Sequence, residues 1–223
     1  MNDPLTLALD ASTYSGTAAL VRGSAVLMEL DVPMRTPDRE SLLPAIASLL
    51  DRAHVTPREI ERVVCGAGPG SFTSLRIAAA IAKGVALGAA APLFAVSSLL
   101  LIIAGNDIAA EPGRYVAILD ALRGDVFAAA FEVRPPASVI ELCPATLMPR
   151  VDAQALALRL SACVVGPDQE SRLMPHARGV ARLHNTLDNA APEDLALWEP
   201  SYGRLAEAQA RWEREHGRPL AGT

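Results

Sequence analysis

Twice in this chain, about half of its 223 residues apart, an apolar run patterned as a β-strand ends on an aspartate and meets a turn. Leu5, Leu7 and Leu9 alternate with Thr6 and Ala8 before Asp10, and Tyr115-Val-Ala-Ile-Leu leads into Asp120. Alternation with a period of two marks a strand. After Asp10, the turn formers Ala11-Ser-Thr-Tyr-Ser-Gly16 lead to strands over 17–21 and 25–30, an antiparallel meander. After Asp120, Ala121-Leu-Arg-Gly124 leads to a strand over 125–133. Each half then supplies a helical pattern and a short apolar strand ending on glycine, Val63-Val-Cys-Gly66 and Val164-Val-Gly166. Two related lobes, 1–106 and 107–223, are therefore expected, each a mixed sheet flanked by helices. Beyond this skeleton the halves share few residues.

From position 38 the period lengthens. Leu42, Leu43, Ile46, Leu49, Leu50 and Ala53 recur at helical spacing, predicting a helix over 38–53 or, given Pro44, one starting nearer Ser41. A second helix is predicted over 73–89, with Leu75, Ala78, Ala79, Ala82, Ala86 and Ala89 on one face. A strand over 93–96 and an apolar helix over 98–105 follow. Residues 134–137 read as a loop, 168–193 as the least regular stretch, and 204–215 as a polar helix packing back on the body.

Apolar residues make up 51% of the chain and charged residues 20%, the balance of a folded globular protein. Much of the apolar content is alanine and only 4% is aromatic, which favours close helix packing over aromatic-lined pockets. A net charge of −5 is poorly suited to holding a nucleic acid unaided, because phosphate contacts need a basic surface. Three cysteines without paired spacing argue against a disulfide framework or zinc site and fit a reducing cytoplasm. No signal peptide is read at the start, and the apolar run 97–105 is too short to span a bilayer, so no membrane partner is expected.

The sharpest local string is Gly66-Ala-Gly-Pro-Gly-Ser-Phe-Thr-Ser-Leu-Arg76, a strand, glycine turn and helix start. It is neither a P-loop nor a GxGxxG fingerprint. Two readings stand side by side: a tight strand-to-helix connection, or a nest of amides at a helix N-terminus that takes an anion. Asp10, Ser12 and Thr13 are in the same way either a polar turn or carboxylate and hydroxyls set against metal and phosphate. Asp120 beside Arg123-Gly124 is either a second cleft acid or a turn stapled by its own side chains. Arg76 and Lys83 read as surface charges. His54, His176, His184 and His216 are scattered, with no i, i+4 pair, and nothing supports a metal or a Ser-His-Asp site. The two leucine- and alanine-faced helices either cover the sheet or form half of a four-helix bundle completed by another chain.

Taken in order, Leu-Ala-Leu-Asp10-Ala-Ser-Thr, Glu40-Ser-Leu-Leu-Pro-Ala-Ile46, the 66–76 string, Lys83-Gly84, Val96-Ser-Ser98, Asp120-Ala-Leu-Arg-Gly124 and Pro200-Ser-Tyr-Gly-Arg204 with Ala206-Glu-Ala-Gln209 resemble the TsaB (YeaZ) family. The resemblance implies a two-lobed actin-like (ASKHA, RNase H-like) α/β fold. It implies a cytoplasmic, non-catalytic subunit in formation of N6-threonylcarbamoyladenosine at position 37 of tRNAs reading codons beginning with A, which scaffolds and activates the catalytic subunit TsaD. Further implied partners are the ATPase TsaE, tRNA through the complex, and a second copy in a homodimer. The expected partner interface is Leu42, Leu43, Ile46, Leu49, Leu50, Leu75, Ala78, Ala79, Ala82 and Ala86. A vestigial phosphate site would comprise Asp10, Ser12, Thr13, Gly68, Gly70 and Asp120. No cofactor or metal is expected as resident; ATP or ADP would sit at the partner interface. The chain departs from the family with Asp38-Arg39-Glu40 in place of His-Ser-Glu and with Ser74 in place of glycine. A stand-alone actin-fold ATPase or phosphotransferase is the competing reading.

Overall fold

The computed structural model describes residues 3–34, 40–135 and 138–203, together with His216. The predicted 204–215 helix and the Asp38-Arg39 departure lie outside the described residues, as do Ala206 to Gln209 of the late string.

Strands β1 (Leu5–Asp10), β2 (Ser15–Arg22) and β3 (Ala25–Pro33) form the predicted meander. Helix α1 (Leu42–Arg52) then leads to β4 (Arg62–Gly66), α2 (Phe72–Ala89), β5 (Leu93–Val96) and α3 (Ser98–Ala104). The second half runs β6 (Gly113–Asp120), β7 (Asp125–Arg134), β8 (Ser138–Pro149), α4 (Arg150–Leu160) and β9 (Cys163–Val165). The sheets have the orders β3-β2-β1-β4-β5 and β8-β7-β6-β9. In both, an antiparallel meander is joined by a parallel strand beside its first member, β4 beside β1 and β9 beside β6. The weak sequence repeat is thus a repeat of topology.

β1 carries the alternation of a half-covered strand, yet all six of its residues are buried. It is central, with a layer on each face. Leu5, Leu7 and Leu9 pack with α1 and α2, while Ala8 packs with Val64, Phe94, α3 and residues 177–187. Apolar α3 is shared by the two halves. Leu101 and Ala104 face the first sheet, and Leu99, Ile102 and Ile103 face Tyr115, Ala117 and Phe131 of the second.

α1 begins where Glu40 accepts hydrogen bonds from the amides of Leu42 and Leu43. Pro44 falls in the first turn, where its missing N–H has no helical partner to lose. α2 is 18 residues long and apolar enough by length and composition to cross a membrane, which the 97–105 run is not. Here it packs through Leu75, Ala78, Ala79, Ala82 and Ala86 over the first sheet.

Two stretches depart from expectation. β8 was not anticipated: it is an exposed edge strand with Pro144 inside it, and two register shifts against β7 erase any clean alternation. The middle of the stretch read as irregular is in fact core. Residues 177–183 form a 3₁₀ helix followed by α5 (His184–Asp188), burying Ala177, Val180, Leu183 and Leu187 on the first sheet. A 3₁₀ helix turns once every three residues and so has no 3.6 period to detect.

Candidate functional site

The turn after β1 and the glycine loop after β4 meet at one end of the first sheet, because parallel pairing sets Leu9 beside Cys65. There the Asp10 carboxylate is fully buried. Its Oδ1 accepts from the Ser12 amide at 2.9 Å and the Ser12 hydroxyl at 2.7 Å. Its Oδ2 accepts from the Ser98 hydroxyl at the start of α3 at 2.5 Å. Ser98 Oγ in turn accepts from the Gly68 amide at 3.1 Å. Burial raises the Asp10 pKa, opposed by the hydrogen bonds from Ser98 and Ser12 and by the more distant His176. Gly66 is required by this carboxylate, since a Cβ there would lie 1.9 Å from Oδ2.

The glycine loop is closed by the chain itself. Its amides donate within the protein: Ala67 to Val96 O at 2.7 Å, Gly68 to Ser98, and Ser71 to Ser12 O at 2.7 Å. Gly70 lies so close to Ser12 that a Cβ would stand 2.1 Å from its carbonyl oxygen. Gly68, in the left-handed region at φ +87°, sits under Ser201, whose amide donates to Ala67 O at 2.7 Å. The late Pro200-Ser-Tyr-Gly string is therefore a lid on the loop, a role the sequence alone did not suggest. The remaining hydroxyls are engaged as well. Thr13 Oγ1 donates to Ser15 O at 2.9 Å, and Ser71 pairs with Ser74 at 3.1 Å. Ser74 is an ordinary helical residue, and serine in place of the family glycine gives that bond.

Beside the knot a cavity of about 540 Å3 opens between the two sheets. Ser12, Thr13, Gly70 and Asp120 line it, whereas Asp10 and Gly68 do not. The expected phosphate set is thus divided. Its principal carboxylate is walled off behind Ser12 and Ser98, which corrects the expectation that Asp10 faces the cleft. Asp120, the counterpart of Asp10 on β6, is exposed and 3.6 Å from Arg150. The aromatic walls also run against expectation. Of three Tyr and four Phe in the chain, Tyr14, Tyr202, Phe72 and Phe127 line this one cavity. A low overall aromatic content says nothing about where aromatics gather. Asp168, in the stretch read as irregular, lines it too.

Arg76 is held on the Phe72 ring at 4.9 Å and Lys83 over Trp198 at 5.8 Å. His176 is buried, its Nδ1 accepting from the Arg178 amide at 3.1 Å; burial lowers its pKa. Among the described residues no three His, Cys, Asp or Glu side chains cluster to hold a metal.

The proposed interface needs a larger correction. Leu42, Ile46, Leu49, Leu50, Leu75, Ala78, Ala79, Ala82 and Ala86 are all buried in this chain's own core. Only Leu43 of that set is exposed, at 50%. The strongest apolar stripe of each helix is the one that meets the sheet. The opposite faces make a separate, mainly apolar groove of about 740 Å3, lined by Leu43, Ala80, Ile81, Gly84, Val85 and Gly88, with Pro57 and Arg58 at one side.

Comparison with known proteins gives one consistent direction. Residues 37–137 match the family described as TsaD, tRNA N6-adenosine threonylcarbamoyltransferase. The chain is 28% identical to the tRNA threonylcarbamoyladenosine biosynthesis protein TsaB of Bacillus subtilis, over 92% of this chain and 96% of that one. It is 32% identical to the TsaB of Escherichia coli over 56% of this chain and 54% of that protein. Among solved structures, YeaZ from Pseudomonas aeruginosa superposes with a TM-score of 0.73 at 22% identity, covering 89% of this chain and 99% of that one. The fold is accordingly that of YeaZ, two mixed sheets with flanking helices.

Proposed function

The chain is a relative of the TsaB (YeaZ) proteins over nearly its whole length, and on that premise we propose that it serves tRNA threonylcarbamoyladenosine biosynthesis as the non-catalytic subunit that scaffolds and activates TsaD. The target in this reading is adenosine 37 of tRNAs that read codons beginning with A, with tRNA held chiefly by other subunits. TsaE joins the same complex, the setting is the cytoplasm, and a homodimer is the form taken without TsaD. The lobe division remains 1–106 and 107–223.

One observation supports the non-catalytic reading above the others. The carboxylate, hydroxyls and loop amides that an actin-like phosphate site would turn toward a ligand are engaged with one another, Asp10 with Ser12 and Ser98, and Ser71 with Ser12. Opening that knot would leave buried polar groups unpaired at about 1–3 kcal/mol each. Docking is assigned to the outward groove of α1 and α2, with Leu43, Ile81 and Val85 as its apolar contacts. A hydrophobic helix face laid against another pair of helices completes a four-helix bundle.

The test is reconstitution of tRNA threonylcarbamoylation with each subunit left out in turn. Product is expected only when this chain and TsaD are both present; turnover by this chain alone would refute the reading. The competing ATPase reading draws on the cavity lined by Ser12, Thr13, Gly70 and Asp120. It requires magnesium-dependent ATP binding by the isolated chain, measurable by calorimetry.

A further inference from the structure

The cavity between the sheets has a chemistry of its own, apart from the docking groove. Its walls are the rings of Tyr14, Phe72, Phe127 and Tyr202, with Leu119 and Met174 between them. Phe72 and Tyr202 touch, their ring centroids 4.4 Å apart and tilted by 45°. Among the described residues the charged side chains lining it are two acids, Asp120 and Asp168. Among the described residues no Lys, Arg or His lines it. Arg150 approaches Asp120 from outside at 3.6 Å, and Arg76 is stacked on Phe72.

These features select by charge. A phosphate would meet two carboxylates, while the Ala67, Gly68 and Ser71 amides and the Ser12 and Thr13 hydroxyls already donate within the protein. A cation would meet the reverse, since aromatic faces attract positive charge and rim carboxylates add to that attraction. At about 540 Å3 the space exceeds a single side chain and falls in the range of small-molecule sites. Flat rings on several walls favour a flat body. We propose that the cleft between the two sheets binds a small organic cation with a planar apolar body and discriminates against nucleoside phosphates.

Benzamidine, a planar cation, and benzamide, its neutral near-isostere, are the probes, titrated calorimetrically into the full chain beside magnesium-ATP. Benzamidine is expected to bind saturably and about tenfold tighter than benzamide, the scale of one desolvated cation–π contact. Asp168→Asn, an exposed position that leaves folding intact, narrows that gap, and Tyr14→Ala weakens both probes. Equal binding of the two probes, absence of saturable binding, or tighter binding of magnesium-ATP than of benzamidine would each overturn the proposal. None of these outcomes bears on whether the chain docks with TsaD.

Discussion

The Asp10 side chain accepts three hydrogen bonds and meets no solvent, so at the residue scale it is a tie rod between β1, the glycine loop and α3. Asp10→Ala leaves two buried O–H groups and an amide without an acceptor and is expected to lower unfolding free energy by roughly 3 kcal/mol or more. A ligand-facing carboxylate would be removed at little cost, so urea unfolding separates the two roles. The pH dependence carries a sign. Because burial raises this pKa, the native state holds the proton more tightly than the unfolded chain. The associated stabilisation is complete below the ordinary carboxylate range and is lost as pH rises through the raised value. Wild type should therefore gain stability relative to Asp10→Asn as pH falls through that window; a constant difference would count against a buried, titrating Asp10. Cys65, also buried, has its thiol pKa pushed up by burial and by Asp10. Cys163 is exposed and should react first with a thiol reagent, while Cys65 waits for unfolding. The sequence displayed Asp10, Ser12 and the glycines but left their role open. The deciding partner, Ser98, is 88 positions away from Asp10, and only folding reveals that the hydroxyls turn inward.

Element by element, periodicity located most strands and helices correctly, because each carries one dominant apolar stripe. What periodicity cannot state is which surface that stripe meets. In α1 and α2 it meets the chain's own sheet, and the weaker outward stripe lines the outer groove. The consequence is testable with two aspartates on one helix. Ile46→Asp places an unpaired carboxylate in the core and should cost about 3–5 kcal/mol, enough to unfold a marginal domain. Leu43→Asp, on the exposed face, should change thermal stability by less than about 0.5 kcal/mol yet weaken association with TsaD. Equal loss of stability in both variants would contradict the assignment of faces. β8 and the 177–188 segment escaped the sequence reading for a related reason. An edge strand with a proline and bulges, and a short 3₁₀ turn, bury side chains without any repeating period.

Across the whole molecule, one topological unit occurs twice, and its copies have diverged in chemistry. Both copies end their first strand on aspartate, Asp10 on β1 and Asp120 on β6, and each first strand has a parallel neighbour, β4 and β9. In the first copy that acid is sealed; in the second it is exposed on the rim of an aromatic cavity. The repeat was visible in the sequence as strand, aspartate and turn, whereas the divergence depends on contacts between distant segments. A body whose phosphate-type groups satisfy one another, and whose helices offer an apolar outer groove, is suited to act through another chain. The most direct measurement of that claim is the rate of tRNA threonylcarbamoylation by TsaD mixed with Ile81→Asp, beside TsaD mixed with Ser12→Ala. Ile81 lines the outer groove and Ser12 the proposed phosphate site. The account predicts that a folded Ile81→Asp chain no longer supports modification while a folded Ser12→Ala chain still does; the opposite pattern would contradict it.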